Sequence, residues 1–168
     1  MHCNTSISGC THGTHVAGIV AGSGALGGGH GVARGANVIA IQVFSHFPAQ
    51  GAMLSWTSDQ IKGLERVYAL RDTIPIAAVN MSLGGGQYAS ACDASQGALK
   101  AAIDNLRAVG IATVIASGND GYRNAISAPA CISSAVSVGS VCDAGPDGGA
   151  CGTGVGGGGG VGGCHHGG

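Results

Sequence analysis

Two segments of the chain carry apolar residues at the spacing of one helix face. Thr57 to Leu70 has this pattern with charged residues on its other side, and it predicts an amphipathic helix. Ser95 to Val109 repeats the pattern and is followed by Gly110, a residue type that commonly ends helices. Residues 12–22 are small or apolar on every side, which indicates a third helix, buried under a sheet.

Short apolar runs separate these helices, and they predict buried parallel strands. The runs are Asn37–Val43, Ile76–Met81, Ile111–Ala116 and Ala135–Val141. Strands that alternate with helices favour an α/β fold, in which helices cover the faces of a mostly parallel sheet. Ligands bind such sheets outside the carboxyl ends of the strands. Residues 82–86 and 117–121 are therefore the first candidates for a site.

The composition fits one domain of this class. The chain has 168 residues, of which 45% are hydrophobic, 4% aromatic and 9% charged, so its core must consist of Ala, Val, Ile and Leu. A net charge of −1 provides no basic surface for nucleic acid, and we expect no such partner. No uninterrupted apolar stretch reaches about 18 residues, so we expect no membrane span.

The cysteines leave two interpretations open. None of the seven has the paired C-x-x-C spacing of a metal site, which leaves disulfides or separate thiols. An odd count means that at least one is free or has its partner elsewhere. They are Cys3, Cys10, Cys92, Cys131, Cys142, Cys151 and Cys164. Met1 to Gly9 has neither the basic start nor the apolar run of a signal peptide.

Glycine dominates the chain from residue 144 onward. We predict that residues 144–168 are a disordered tail, because they contain too few apolar side chains to offset the entropy of ordering. A flexible linker and non-native sequence at the end of a fragment are the favoured explanations. A metal-binding terminus at Cys164, His165 and His166 is the third, and we predict no metal site.

The strongest chemical signal is Cys10 to Gly22, CTHGTHVAGIVAG, which places His12 at the start of a helix. A rigidly held histidine can serve as a general base, because it reaches its proton within hydrogen-bonding distance. Two surface histidines are the plain alternative. A metalloprotease zinc site would need two histidines four residues apart with a glutamate between them, whereas His12 and His15 are three apart and no glutamate lies between them. The run closely resembles the histidine motif of the subtilisin-like serine peptidase family. That resemblance implies that His12 is the general base and that His15 packs inside the helix.

A second segment that matches the family is residues 80–86, NMSLGGG, at the end of a predicted strand. Its glycines leave room for an extended peptide to approach the backbone. The resemblance implies that Ser82, Leu83 and Gly84 bind substrate. An ordinary turn at the end of a strand is the alternative.

The third match is residues 116–121, ASGNDG, where Asn119 follows a buried strand. An amide held there can donate a hydrogen bond to a developing oxyanion. The resemblance favours that catalytic role for Asn119 and substrate binding for Gly118. A turn asparagine is the alternative, since Asn-Asp-Gly is a common turn sequence.

The resemblance runs in one collinear order from about Gly9 to Val141. It implies a three-layer α/β fold with a mostly parallel sheet flanked by helices over residues 1–143, and we expect this domain to be truncated at both ends. Within the matching region Cys92 and Cys131 flank the oxyanion segment, and we hypothesise a disulfide between them.

The family pattern includes two motifs that the chain lacks. An aspartate in a D-[ST]-G turn should precede the histidine, and a serine should begin a helix in G-T-S-x-A-x-P, but neither sequence occurs. We therefore expect a serine endopeptidase with a Ser-His-Asp triad, of which this chain is an inactive fragment. The alternatives are a non-catalytic peptide-binding module and a structural or metal-binding protein defined by its tail.

One further motif is rejected. Gly22, Gly24 and Gly27 match the G-x-G-x-x-G dinucleotide fingerprint. That fingerprint requires a strand before it and a helix after it, and the predicted order here is the reverse. Nucleotide binding is therefore excluded.

The resemblance also implies the partners and the location. It predicts a polypeptide substrate, a secreted or extracytoplasmic protein, and no cofactor for the chemistry. Structural calcium occurs in the family, but no residue pattern here indicates a calcium site. The sequence indicates neither the cleavage specificity nor the oligomeric state.

Overall fold

A computed structural model of the chain describes residues 7, 9–25 and 29–140. These residues belong to two compact units, one that ends at Ile76 and one that begins at Ala77. The predicted domain end at residue 143 and the predicted tail at 144–168 lie outside the described residues, and both stay predictions.

Both helices of the first unit form where the sequence predicts them. α1 spans His12–Ala21 and α2 spans Thr57–Leu70. α2 buries Leu64 and Val67, as its apolar spacing requires. The prediction that α1 is buried was wrong, because none of its residues is buried and Ile19 is 56% exposed. Val16, Ala17 and Ala21 are half-buried and the other residues of α1 are exposed, so the described residues cover only part of this helix.

The carboxyl end of α1 is held by a close backbone crossing. The N–H of Gly31 donates to the carbonyl oxygen of Gly22 at 2.8 Å, and the next two N–H groups donate to carbonyl oxygens of α1. A Cβ on Gly31 would lie 2.7 Å from the amide nitrogen of Ala21, which is closer than real Cβ atoms come. Glycine is therefore required at this crossing.

The predicted strand Asn37–Val43 is not formed. Residues 36–44 have no regular secondary structure, and the side chains of Val38 and Ile39 are 51% and 45% exposed. A strand needs a neighbour to satisfy its backbone N–H and C=O groups. No strand pairs with this segment in the described part of the chain.

The first unit also contains a hairpin that the sequence did not predict. β1 (Ser45–Phe47) pairs antiparallel with β2 (Ala52–Leu54). The turn between them places Gly51 at a φ of +59°, a left-handed conformation that favours glycine. Phe47 and Trp56 meet edge to face beside the hairpin, with ring centroids 6.3 Å apart.

The second unit is built on a parallel sheet. β3 (Ala78–Met81), β5 (Ala112–Ala116) and β7 (Val136–Val138) lie in the order β3-β5-β7, and both neighbouring pairs are parallel. Met81 pairs with Ile115, the penultimate residue of β5, in the ladder. The carboxyl ends of β3 and β5 therefore lie side by side.

Helix α3 packs on this sheet and forms the core of the second unit. It spans Gly97–Ala108 and buries its apolar face, which consists of Leu99, Ala102, Ile103 and Leu106. Ile115 of β5 is also fully buried, and each such Leu or Ile contributes about 1.5–3 kcal/mol through burial. Gly110 ends the helix as predicted, with a φ of +81° and its N–H donated to the carbonyl of Arg107.

A second, short sheet lies beside the ends of these strands. β4 (Gly85–Tyr88) pairs antiparallel with β6 (Ile126–Ala128), and the register shifts between Gly85 and Tyr88. The parallel sheet with its packed helix confirms the predicted α/β class, whereas this β4–β6 pair was not predicted. None of the helices that the structure describes is long and apolar enough to cross a membrane.

Candidate active site

His12 is the first residue of α1, in the first unit. A turn leads into the helix, since Gly9 has a φ of +90° and its carbonyl accepts the N–H of His12 at 3.2 Å. Cys10 within this turn is disulfide-bonded. The imidazole of His12 is exposed, so its nitrogens are accessible to a proton donor.

His15 does not take the position that the sequence implied. The side chain was expected inside the helix packing, but it is exposed. The physical reason is that α1 presents no buried face, so position 15 has nothing to pack beneath. Its expected lack of a role in proton transfer stays a prediction.

Ser82, Leu83 and Gly84 follow directly on β3, in the second unit. The side-chain amide of Asn80 donates to the hydroxyl of Ser82 at 3.0 Å and fixes the start of this segment. A Cβ on Gly84 would lie 3.1 Å from the Cβ of Ser127 and 3.3 Å from the carbonyl oxygen of Ala128. The backbone at Gly84 therefore lies directly against β6.

Ser117, Gly118 and Asn119 follow β5 in the same way. The N–H of Ser117 still belongs to the sheet, because it donates to the carbonyl of Val138 at 2.9 Å. Gly118 then turns the chain with a φ of +115°. Asn119 is exposed, and its side-chain amide donates no hydrogen bond to another described residue. It is therefore free to donate to a bound group.

Ser127 joins the two strand ends, and the sequence did not single it out. Its side chain is 1% exposed, its N–H donates to the carbonyl of Ser117 at 2.8 Å, and its hydroxyl oxygen occupies the space where a Cβ of Gly118 would lie. Gly84 contacts the same serine from the other strand end. A serine before an Ala-Pro pair carries no periodic or charge signal, so its contacts with both strand ends could not be predicted from the local sequence.

Residues 127–133, which we call the cleft wall, continue from Ser127. The peptide bond between Ala128 and Pro129 is cis. The N–H of Cys131 donates back to the carbonyl of Ser127 at 3.2 Å and closes a turn. The cleft wall is thus a compact turn that begins at the residue touching both strand ends.

The hypothesised disulfide between Cys92 and Cys131 is present in the structure, with Cα atoms 5.4 Å apart. It links the cleft wall to the segment before α3. The carboxylate of Asp93 accepts the N–H of Ser133 at 2.9 Å and its hydroxyl at 2.6 Å. These two hydrogen bonds, from the hydroxyl first and the N–H second, lower the pKa of Asp93 below its ordinary value.

The predicted residues thus divide between the two units. The structure brings Ser82, Leu83, Gly84, Gly118 and Asn119 together at adjacent strand ends. His12 belongs to the other unit. No group of three or more His, Cys, Asp or Glu side chains in the described ranges could hold a metal ion. The strand-end site offers an open backbone and a free amide donor, which suit an extended peptide and a developing negative charge.

Comparison with known proteins agrees with these motifs. The sequence model of the Subtilase family matches residues 4–150, a range that includes every candidate site residue. The chain belongs to the subtilase family. His12, Gly84 and Asn119 of this subtilase chain therefore lie within the matched region.

Individual relatives resemble the subtilase chain over most of its length. An alkaline proteinase of Hapsidospora chrysogena is 36% identical over 135 residues, which are 77% of this chain and 28% of that protein. Subtilisin-like protease 2 of Trichophyton equinum is 35% identical over 130 residues, 77% of this chain and 27% of that protein. The chain thus spans less than a third of the length of these relatives.

A solved structure shares the fold of the subtilase chain. The S41 Psychrophilic Protease has a TM-score of 0.60 and 27% sequence identity. The superposition covers 75% of this chain and 38% of that protease chain. The subtilase chain therefore has part of the fold of a larger protease.

Proposed function

We propose that this protein acts as a serine endopeptidase and that these 168 residues supply its general base, its oxyanion donor and its substrate-binding strand end. The observation that carries the proposal is the convergence of Gly84 and Gly118 on Ser127. It sets the two strand ends edge to edge, as needed to bind a peptide beside a hydrogen-bond donor.

His12 is the proposed general base. An exposed imidazole at the start of a helix can take the proton of an attacking serine and later give it to the leaving amine. The proposal assigns these two proton transfers to His12, and none to His15.

Asn119 is the proposed oxyanion donor. Its side-chain amide is exposed beside the strand end, and one such donor contributes about a hundredfold or more to turnover. Ser82, Leu83, Gly84 and Gly118 form the proposed substrate-binding backbone, with main-chain groups that pair with an extended peptide. Acid–base and hydrogen-bond catalysis of this kind requires no cofactor.

We further propose that these 168 residues alone do not hydrolyse peptides, because they contain no G-T-S motif and no D-[ST]-G motif. A histidine raises the reactivity of a serine only when both are present and a carboxylate orients the base. Peptide binding needs neither the serine nor the carboxylate. A non-catalytic peptide-binding module is thus the second candidate, favoured by the accessible strand end at Gly84.

An oxidising, extracytoplasmic location is part of the same proposal. The disulfide between Cys92 and Cys131 supports it, since such bonds persist mainly outside the reducing cytosol.

The first experiment measures activity and nucleophile reactivity. The purified chain is incubated with a chromogenic peptide and, separately, with a serine-directed fluorophosphonate. We expect neither turnover nor labelling. Stoichiometric labelling of a serine would contradict the claim that these residues lack a nucleophile.

The second experiment measures peptide binding at the strand end. A blocked apolar tetrapeptide amide is titrated into the ¹⁵N-labelled chain, and we expect amide shifts at Ser82, Leu83 and Gly118. Gly84→Ala should weaken binding, because the added Cβ would press against Ser127. Gly85→Ala is the matched control, since nothing lies within 4 Å of its Cβ position. Shifts confined to other residues would contradict the proposed site.

A further inference from the structure

Three connections tie the cleft wall to one short segment before α3. The disulfide joins Cys92 to Cys131, and the N–H of Cys92 donates to the carbonyl of Cys131 at 3.0 Å. Asp93 adds the third connection through its two hydrogen bonds to Ser133. The disulfide and the hydrogen bond from Cys92 both hold the wall at Cys131, whereas Asp93 holds it at Ser133, two residues farther along. Two separated points prevent the wall from pivoting about the disulfide.

The segment that carries Asp93 is itself firmly anchored. The N–H groups of Ser95 and Gln96 donate to the carbonyl of Cys92 at 3.1 Å and 2.9 Å, and this turn continues into α3. α3 is fixed by its buried face, on which Leu99 and Ile103 are almost completely inaccessible. Asp93 therefore connects the wall to the core of the second unit.

The other end of the wall touches the proposed site. Ser127 donates its N–H to Ser117 and lies against both Gly118 and Gly84. Asp93 itself makes no hydrogen bond or ion pair with those residues. Any effect of Asp93 on the site must therefore pass through the cleft wall.

We propose that Asp93 is a positioning residue, which acts through Ser133 and the cleft wall to hold Ser127 against Gly118 beside the oxyanion donor. This inference rests on the proposed function for the role of the site in peptide binding and oxyanion stabilisation. The contact between Ser127 and Gly118 does not depend on that function. A carboxylate suits the task because its two oxygens accept the N–H and the hydroxyl of one residue at the same time.

The test measures hydrogen exchange of individual amides in the ¹⁵N-labelled 168-residue chain. In Asp93→Ala we expect the Ser127 and Cys131 amides to exchange about tenfold faster, because loss of both hydrogen bonds from Ser133 should ease opening of the turn by about the contribution of one hydrogen bond. Amides of β5 should be unchanged. Equal exchange at Ser127 in the variant and the parent would overturn the proposal, and so would uniform acceleration that includes β5.

Matched variants separate positioning from general destabilisation. Asp72→Asn removes an exposed carboxylate of the first unit, one paired with Arg71, and should leave Ser127 exchange unchanged. Ser133→Ala should reproduce part of the Asp93→Ala effect, and Ser133→Thr, which keeps the hydroxyl, should restore slow exchange. This series also decides the question if Asp93→Ala does not fold. A failure of Ser133→Thr to restore exchange would contradict the hydrogen-bond mechanism.

Peptide binding separates this inference from the proposed function. The tetrapeptide amide should bind Asp93→Ala more weakly than the parent, while Asp72→Asn binds it normally. If the parent itself does not bind the peptide, the proposed function fails, but the exchange result still decides whether Asp93 positions the wall. If the parent binds and Asp93→Ala binds equally well, the inference fails alone.

Discussion

Ser127 and Gly118 lie so close together that a side chain at position 118 would occupy the place of the serine hydroxyl. Gly118 also has a φ of +115°, which L-residues rarely adopt. Both observations concern the turn that presents Asn119. The position of the proposed oxyanion donor thus depends on a glycine beside a buried serine.

Gly118→Ala should destabilise the second unit by about 2–6 kcal/mol, because backbone strain and overpacking each cost about 1–3 kcal/mol. Gly121→Ala is the control. Gly121 has a φ of +66° but nothing within 4 Å of its Cβ position, so it should cost only the left-handed strain of about 1–2 kcal/mol. Urea unfolding measures both. Equal losses would show that contact with Ser127 is unimportant.

Reduction of the disulfide should destabilise the second unit strongly. Cys92 and Cys131 are 39 residues apart, and a loop of that length gives a chain-entropy contribution of about 4 kcal/mol. The double variant Cys92→Ser/Cys131→Ser should lose about 2–4 kcal/mol in urea unfolding under oxidising conditions. Peptide mapping of the unreduced parent provides the check on pairing. Two free thiols at these positions would contradict the structure.

The side-chain hydroxyl of Thr113 is buried and makes no hydrogen bond within the described part of the chain. The residue is 2% exposed on β5, and its Oγ1 has no hydrogen-bond partner among the residues that the structure describes. Thr113→Val keeps the shape and removes the polar atom, so it should stabilise the second unit by about 1 kcal/mol. Thr113→Ser keeps the hydroxyl and loses a methyl group, so it should be less stable than the parent. A destabilising Val substitution would show that the hydroxyl has a partner.

The carboxylate of Asp93 should give the second unit a pH dependence of known sign. Its pKa is lowered by the hydroxyl and N–H of Ser133 and raised to a smaller extent by desolvation, while Lys100 lowers it and Asp104 raises it by still smaller amounts. Because the folded pKa is below the unfolded one, the hydrogen bonds stabilise the fold above the ordinary value of about 3.9 and are lost as the pH falls through the folded pKa.

The amide shift of Ser133 measures this titration directly. Followed from about pH 6 to about pH 2, it should move with a midpoint below 3.9. Asp93→Asn should abolish the movement, and Asp72→Asn, which removes a carboxylate that has no effect on Asp93, should preserve it. A midpoint at or above 3.9 would contradict the hydrogen bonding described for Asp93.

The helices were predictable because their information is local. α2 and α3 formed close to the predicted bounds, since each has an apolar face at helical spacing, and Gly110 ends α3 as expected. β3 and β5 likewise lie within the predicted apolar runs. The apolar runs therefore located the strand ends at which Gly84 and Asn119 lie.

Other features depend on partners that a local pattern does not specify. Residues 37–43 are apolar enough for a strand but have no strand neighbour in the described structure, so they remain irregular, and all of them except Val43 are exposed. The strands β4 and β6 are short, and β4 is rich in glycine, which weakens any strand signal. Ser127 owes its importance to contacts with two distant glycines, and Asp93 to a serine 40 residues away.

The most direct test of the central claim compares two peptide probes, a blocked tetrapeptide amide and the same peptide ending in a phosphonic acid. The phosphonate places a negative charge where the oxyanion of peptide hydrolysis would develop, so it should bind about tenfold or more tighter than the amide. Asn119→Ala should remove this advantage without weakening amide binding, and Asn124→Ala, an exposed asparagine nearby, should leave it intact. Equal affinities for the two probes in the parent chain, or an advantage that persists in Asn119→Ala, would contradict the assignment of Asn119 as the oxyanion donor.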